Sequence, residues 1–416
     1  VRTSIWILLF WLLPVLAEER LHVYVGDLGP EHVLLAWGHT HGKGNTIGRA
    51  AESPGRAVLR VGEKTVETTQ AWAQVNGLAP DREYDYSLTL NGQAAGSGKV
   101  RTWPARTDKV SFLVLGDWGN ASKEQNKIAQ VMTEVVRERA AGGNPVRFVL
   151  STGDNIYSVV PGVILSGSGD QDSHWGPRFF QPYEQILRSL PFYVVLGNHD
   201  GNESERRGDL ALQLDNFFYP GNRPARWYHF QFGGLLDLVA LDTTRNTETG
   251  GKKDAWAPDG AQTAWARAEF AKLTLPWRIV FQHHPIFNAG PRHHKENNEA
   301  RMKHFLDLFE KGRVQAVFSG HEHNFQVSER NARSRGIRFF VTGAGGELRD
   351  QEVVSNQENA NIAGWAPQNH FLLVEIERNE MKVTPLGFEP VTVRKPDGSA
   401  MEKPVVVLRE SDTPLR

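Results

Sequence analysis

Val146-Arg147-Phe148-Val149-Leu150, followed two residues later by Gly153-Asp154-Asn155-Ile156-Tyr157, decides the fold of this chain. The first five residues are short, β-branched and aromatic, as in a buried strand. Gly153 lets the chain turn sharply where that strand ends. A carboxylate delivered at a strand end stands in the favoured place for chemistry in an α/β sheet. By itself, an Asp after a strand reads more simply as a turn or a helix cap.

Four other segments repeat the device. Val110 to Leu115 runs into Gly116-Asp117-Trp118-Gly119, and Phe192 to Leu196 runs into Gly197-Asn198-His199-Asp200. Ile279 to Phe281 runs into Gln282-His283-His284-Pro285, and Val314 to Phe318 runs into Ser319-Gly320-His321-Glu322-His323. Each short apolar strand delivers Asp, Asn or His into the loop after it. Such deliveries can converge at one end of a sheet. Oxygen and imidazole donors together suit divalent or trivalent transition metals.

The 416 residues exceed one ordinary core, which predicts two domains. A net charge of −1, from 47 basic and 48 acidic side chains, gives no electrostatic case for nucleic acid or an anionic membrane. With no cysteine, disulfides, thiolate zinc sites and a Cys nucleophile are excluded. The run Ile5 to Leu13, ended by Pro14-Val15-Leu16-Ala17, reads as a signal peptide over 1–17 cleaved after Ala17. The mature chain is then expected to be secreted or periplasmic, without a stable membrane span.

Residues 21–104 read as all-β, with candidate strands at 21–25, 32–37, 57–61, 65–75, 84–90 and 98–103. Gly77 to Tyr84 is similar to the tyrosine-corner region of fibronectin type III domains. His39 and His41 lie in a Gly-rich stretch and read as solvated loop residues. Trp103-Pro104-Ala105-Arg106 marks the expected boundary. A catalytic domain over 108–387 alternates strands with helices, predicted at 122–140, 178–190, 260–273 and 297–312. A hairpin at 371–377 and 381–386 closes it, and 388–416 is a C-terminal extension. The stretch 158–176, with Asp170, Asp172 and His174, has the composition of a polar loop.

The five blocks, in order, resemble the metallophosphoesterase superfamily, and Tyr157 narrows the resemblance to the purple acid phosphatases. G-D-W-G, G-D-N-I-Y and L-G-N-H-D look most like the mammalian tartrate-resistant type. That type lacks a preceding β-sandwich, which larger members carry. The resemblance implies an α/β fold: a four-layer β-sandwich flanked by helices, preceded here by a fibronectin III-like domain. It implies a dinuclear metal centre, Fe(3+) with a second divalent metal (Fe, Zn or Mn). Asp117, Asp154, Tyr157 and His323 would hold the first ion. Asp154, Asn198, His283 and His321 would hold the second, with Asp154 bridging. In the adjacent pair His283-His284 the family pattern H-x-P selects His283 through Pro285.

Activity and roles follow from the same resemblance. The chain would be an acid phosphatase, hydrolysing phosphate monoesters of small molecules or proteins by attack of a metal-bound hydroxide. His199 would contact phosphate or protonate the leaving group, with Asp200 positioning it. His294, or its neighbour His293, would approach the leaving group. A phosphodiesterase of the same superfamily is the alternative. A non-catalytic adhesion or carbohydrate-binding protein built on the β-sandwich is the rival outside enzymes.

Overall fold

The structure, a computed structural model, describes residues 20–41, 44–45, 47–157, 175–200, 211–244, 256–290, 292–349, 360–402 and 406–409. The expected signal peptide, residues 158–174 and the end of the C-terminal extension lie outside them.

Eight strands come first: β1 (Arg20–Leu28), β2 (His32–His41), β3 (Gly44–Asn45), β4 (Glu52–Val61), β5 (Lys64–Gln70), β6 (Trp72–Asn76), β7 (Glu83–Leu90) and β8 (Gln93–Arg101). They form two four-stranded antiparallel sheets, β1-β2-β3 with β6 on β2, and β5-β4-β7-β8. The single strand expected over 65–75 is two. At Ala71 the backbone leaves one sheet for the other, its N–H donating to Ala51 and its carbonyl accepting from Trp37. His39 belongs to β2 rather than to a loop. The Tyr84 hydroxyl accepts the Ala79 N–H at 2.8 Å.

Next come β9 (Lys109–Leu115), α1 (Lys123–Ala141), β10 (Val146–Ser151), α2 (Glu184–Leu187), β11 (Phe192–Val194), α3 (Ala211–Asn216), β12 (Tyr228–Phe232), β13 (Leu236–Ala240), α4 (Ala261–Phe270) and β14 (Trp277–Phe281). After these stand α5 (Asn298–Arg301), α6 (Lys303–Lys311), β15 (Ala316–Ser319), β16 (Phe325–Ser328), β17 (Arg338–Thr342), β18 (Ile362–Ala366), β19 (Phe371–Glu377), β20 (Glu380–Leu386) and β21 (Val406–Arg409). One sheet is six-stranded, β11-β10-β9-β19-β20-β21, and the other seven-stranded, β12-β13-β14-β15-β17-β16-β18. β9, β10 and β11 run parallel, as do β13, β14, β15 and β17.

The continuous apolar runs reflect burial on both faces. Ile279 and Phe281 of β14 point into a large core shared between the sheets, while Val280 points into a second core under the helices. Ala316 and Phe318 against Val317 repeat this on β15. α4 and α6 cover the outer face of that sheet through Ala266, Phe270, Phe305 and Phe309. α1 packs Ile128, Ala129 and Met132 into the large core with the six-stranded sheet. The Ser122 hydroxyl caps α1, accepting the Gln125 N–H at 3.0 Å. The helix expected over 178–190 is instead a wide turn, Gly176–Phe180, and short α2. Pro182 explains the break, since it lacks an N–H and clashes with the preceding turn. The helix expected over 297–312 is interrupted at Met302.

The large core does not stop at the expected domain boundary. It runs from Tyr24 and Trp37 through Trp103 to Phe112 and Phe281. The Trp103 ring lies 5.8 Å from Phe148, 6.0 Å from Tyr193 and 5.2 Å from Phe232. Buried Asp27 of β1 accepts the Tyr193 hydroxyl at 2.7 Å and the Gly221 N–H at 3.0 Å. No helix of the described residues is long and apolar enough to cross a membrane.

Candidate metal centre

All five blocks leave the carboxyl ends of parallel strands, so the loops after β9, β10, β11, β14 and β15 meet above both sheets. Gly153 has φ +94°, and a Cβ there would stand 2.8 Å from both Gly197 N and His283 Nδ1. Only glycine meets both demands, which lets three of the loops close on one point.

One group of donors gathers around Tyr157. Its hydroxyl lies 3.2 Å from Asp117 Oδ1, 3.1 Å from Asp154 Oδ2 and 3.3 Å from His323 Nε2. Asp117 takes the His321 backbone N–H on its two oxygens at 3.1 and 2.9 Å. A second group adjoins it. Asn198 Oδ1 lies 2.9 Å from His283 Nε2 and 2.9 Å from His321 Nδ1. Asp154 faces both groups, because its Oδ1 lies 3.6 Å from His283 Nε2.

The second group has a hydrogen deficit. His283 Nδ1 donates to the Thr152 carbonyl at 2.8 Å, and His321 Nε2 to the Glu296 carboxylate at 3.0 Å. Each neutral ring has then spent its one hydrogen. Two imidazole lone pairs and an amide oxygen remain facing each other, an arrangement a cation resolves. Burial holds both His321 and His323 down at about 3, in the neutral form that ligates. Burial, then the Asp117 and Asp154 charges, push the Tyr157 phenol well above 10. Burial and the neighbouring Asp154 charge likewise raise Asp117, with His283 opposing. Two buried carboxylates this close call for positive charge, and a bound cation reverses both shifts. The donor set therefore fits a pair of ions held by N and O ligands.

Two expected roles, those of Asp200 and His294, meet different surroundings. Asp200 does not hold the His199 ring. Its Oδ1 accepts the Asn155 and Ile156 N–H groups at 2.7 and 3.0 Å, and its Oδ2 accepts the Gly197 N–H and the Asn155 amide at 2.8 and 2.7 Å. It ties two ligand-bearing loops together. Half-buried His199 packs its ring 4.8 Å from Tyr157, and its backbone N–H donates to Asp154 at 2.7 Å. His294 Nδ1 bonds to the Gly290 carbonyl at 3.1 Å, whereas His293 lays its ring 3.9 Å from His321. His293 is thus the member of that pair in contact with the donor groups. His284 forms a wall: Thr243 Oγ accepts its backbone N–H at 2.9 Å and meets its Nδ1 at 3.1 Å.

Sequence reasoning misses Glu296, Thr243 and Thr152. Glu296 sits in an Arg-His-His-Lys-Glu run that looks like solvated surface, and Thr243 and Thr152 carry no motif. Asp170, Asp172 and His174 fall outside the described residues, as does the side chain of His41.

Comparison with known proteins finds phosphoesterases and acid phosphatases. Residues 110–325 match the sequence profile of the calcineurin-like phosphoesterase family. Purple acid phosphatase 3 of Arabidopsis thaliana is 27% identical over 307 residues, covering 67% of this chain and 75% of the relative. Human tartrate-resistant acid phosphatase type 5 is 26% identical over 309 residues, covering 67% of this chain and 87% of its own. A purple acid phosphatase from yellow lupin (Lupinus luteus) seeds shares the fold with a TM-score of 0.64 at 15% identity, over 94% of this chain and 74% of that one.

Proposed function

Because the chain belongs to the calcineurin-like phosphoesterase family, we propose that it is a secreted or periplasmic acid phosphatase of the purple type. Its substrates would be phosphate monoesters. The observation that carries this reading is Tyr157, a phenol within 3.3 Å of two carboxylates and an imidazole. A phenolate, two carboxylates and one imidazole favour a trivalent ion, Fe(3+). Neutral Asn198 with His283 and His321 favours a divalent one: Fe, Zn or Mn. Bound together, such ions supply an activated nucleophile in acid and neutralise phosphoryl charge.

The chain's own residues do the rest. Asp154 faces both donor groups and would set their separation. Asp200 fixes the loops of Asn155 and Asn198 by their backbones. His199 stands over Tyr157, where its ring can bind a phosphate oxygen or deliver a proton to the leaving oxygen. His293 offers a second imidazole beside His321. We further propose 1–17 as a signal peptide, 21–104 as a fibronectin III-like unit, 108–387 as the catalytic unit and 388–416 as an extension.

The test is an ion count on purified protein together with hydrolysis of a chromogenic monoester and its diester at acid pH. Two ions, one of them iron, and a preference for the monoester are expected. Preference for the diester would move the chain to the phosphodiesterases of the family. Absence of bound metal with no turnover would favour the binding-protein reading.

A further inference from the structure

Behind the second donor group stands a carboxylate that the reaction itself does not require. Glu296 Oε1 lies 3.0 Å from His321 Nε2 and 2.8 Å from His293 Nδ1, so one oxygen serves two rings. Its other oxygen accepts the Asn298 amide at 3.1 Å. The backbone supports the placement: Glu296 ends the turn His294–Glu296, and Asn297 comes next at φ 55°, a left-handed residue that aims the chain into α5.

An ionised carboxylate offers only lone pairs, so both ring nitrogens facing it must carry hydrogens. For His321 this settles the tautomer. Nε2–H points at Glu296, and the Nδ1 lone pair points at Asn198 Oδ1 and the second donor group. For His293 the Nδ1–H is spent on Glu296, and the ring lies tilted against His321, leaving Nε2 without a hydrogen-bond partner among the described residues. We infer that Glu296 is a positioning residue with two arms. One arm sets the tautomer and aim of His321 as a ligand of the second ion. The other holds His293 at the rim of the site. Occupancy of the second ion site and placement of His293 are thereby tied to one side chain. The inference rests on the two-ion reading proposed above.

A carboxylate behind a ligating imidazole is worth about 10–100-fold in metal affinity or activity. The experiment titrates Zn(2+) alone into metal-free full-length protein against a chromogenic chelator, comparing wild type, Glu296→Gln and His293→Ala. Gln keeps the shape and one acceptor oxygen but removes the charge. Wild type is expected to bind two ions. Glu296→Gln should keep the tighter one and bind the other about 10–100-fold more weakly, with an unchanged melting temperature of the metal-free protein. His293→Ala should bind both ions as wild type does, while losing kcat on monoesters with poor leaving groups. Equal affinity of wild type and Glu296→Gln for both ions would overturn the inference alone, and so would equal weakening of both sites. A third ion in wild type, lost in Glu296→Gln, would overturn it in favour of a cation held by His293, Glu296 and His321 themselves. Fewer than two ions in wild type would remove the two-ion reading and this inference with it. Long-range proton–nitrogen spectra of 15N-histidine-labelled wild type read the tautomer without any substitution, and His321 protonated at Nδ1 would refute it.

Discussion

Asp117, Asp154 and His321 hold φ of 55°, 50° and 70°, a region that side chains other than glycine occupy at a cost of about 1–3 kcal/mol each. The fold sustains this because each residue is locked by hydrogen bonds from another loop, as Asp154 is by the His199 N–H. Asp200 is the strongest such lock. Asp200→Ala would leave buried N–H groups of Asn155, Ile156 and Gly197 without an acceptor, so we expect a loss on the order of 3 kcal/mol. Thermal melting of the metal-free protein measures it. Lost turnover at unchanged stability would instead restore the role expected from the sequence, support of His199. Tyr157 makes the second residue-scale prediction. A phenolate on iron(III) absorbs visible light, so Tyr157→Phe should bleach the iron-loaded protein while its melting temperature stays near that of wild type. Colour surviving the substitution would assign it elsewhere. The convergence of five loops was readable because each places Asp, Asn, Tyr or His directly after an apolar strand. What Asp200 and Glu296 do was not, since a carboxylate serving backbone or second-layer imidazoles needs no particular spacing.

The strands ahead of the five loops were legible, and so were the helices expected at 122–140 and 260–273. Strands buried on both faces announce themselves by unbroken apolar runs, whereas the other two helices were broken at Pro182 and at Met302, within otherwise fair patterns. A strand–helix junction carries a prediction of its own. His229 of β12 lies 2.9 Å from Asp237 of β13 and 2.9 Å from Glu269 of α4. Burial opposes charge on His229, but the bonds and charges of Asp237 and Glu269 outweigh it and raise its pKa. Both acids are lowered in turn, against their own burial. The imidazolium's contribution is complete below the ordinary histidine value of about 6.5 and fades as pH rises through the raised one. That of the carboxylates is complete above their ordinary range and fades as pH falls. The cluster should therefore contribute most in mild acid, on the order of 1 kcal/mol after allowance for solvent. His229→Ala should lower the melting temperature near pH 5.5 more than near pH 8.5; an equal drop at both would mean that packing alone is lost.

At the scale of the molecule, the apolar core crosses the boundary expected near residue 104. Composition separates 21–104 from the rest of the chain, yet no local pattern reveals that Tyr24, Trp37 and Trp103 share a core with Phe112 and Phe281. Removing residues 1–104 would strip Phe148, Tyr193, Phe230 and Phe232 of their Trp103 neighbour. We expect the remaining chain to aggregate by size-exclusion chromatography. A monomeric fragment that binds two ions would show the core to be divisible. Pairing across the six-stranded sheet bears on a different matter, the timing of assembly. β9, which carries Asp117 just beyond its end, is bonded on one side to β10 and on the other to β19, a strand made after all five loops. During synthesis the strand must wait with one edge open until Phe371–Glu377 has emerged. The strand that delivers Asp117 is thus framed on both edges only after every other donor has been made. An unfinished or truncated chain would present that edge to strangers and have no finished place to keep a metal ion.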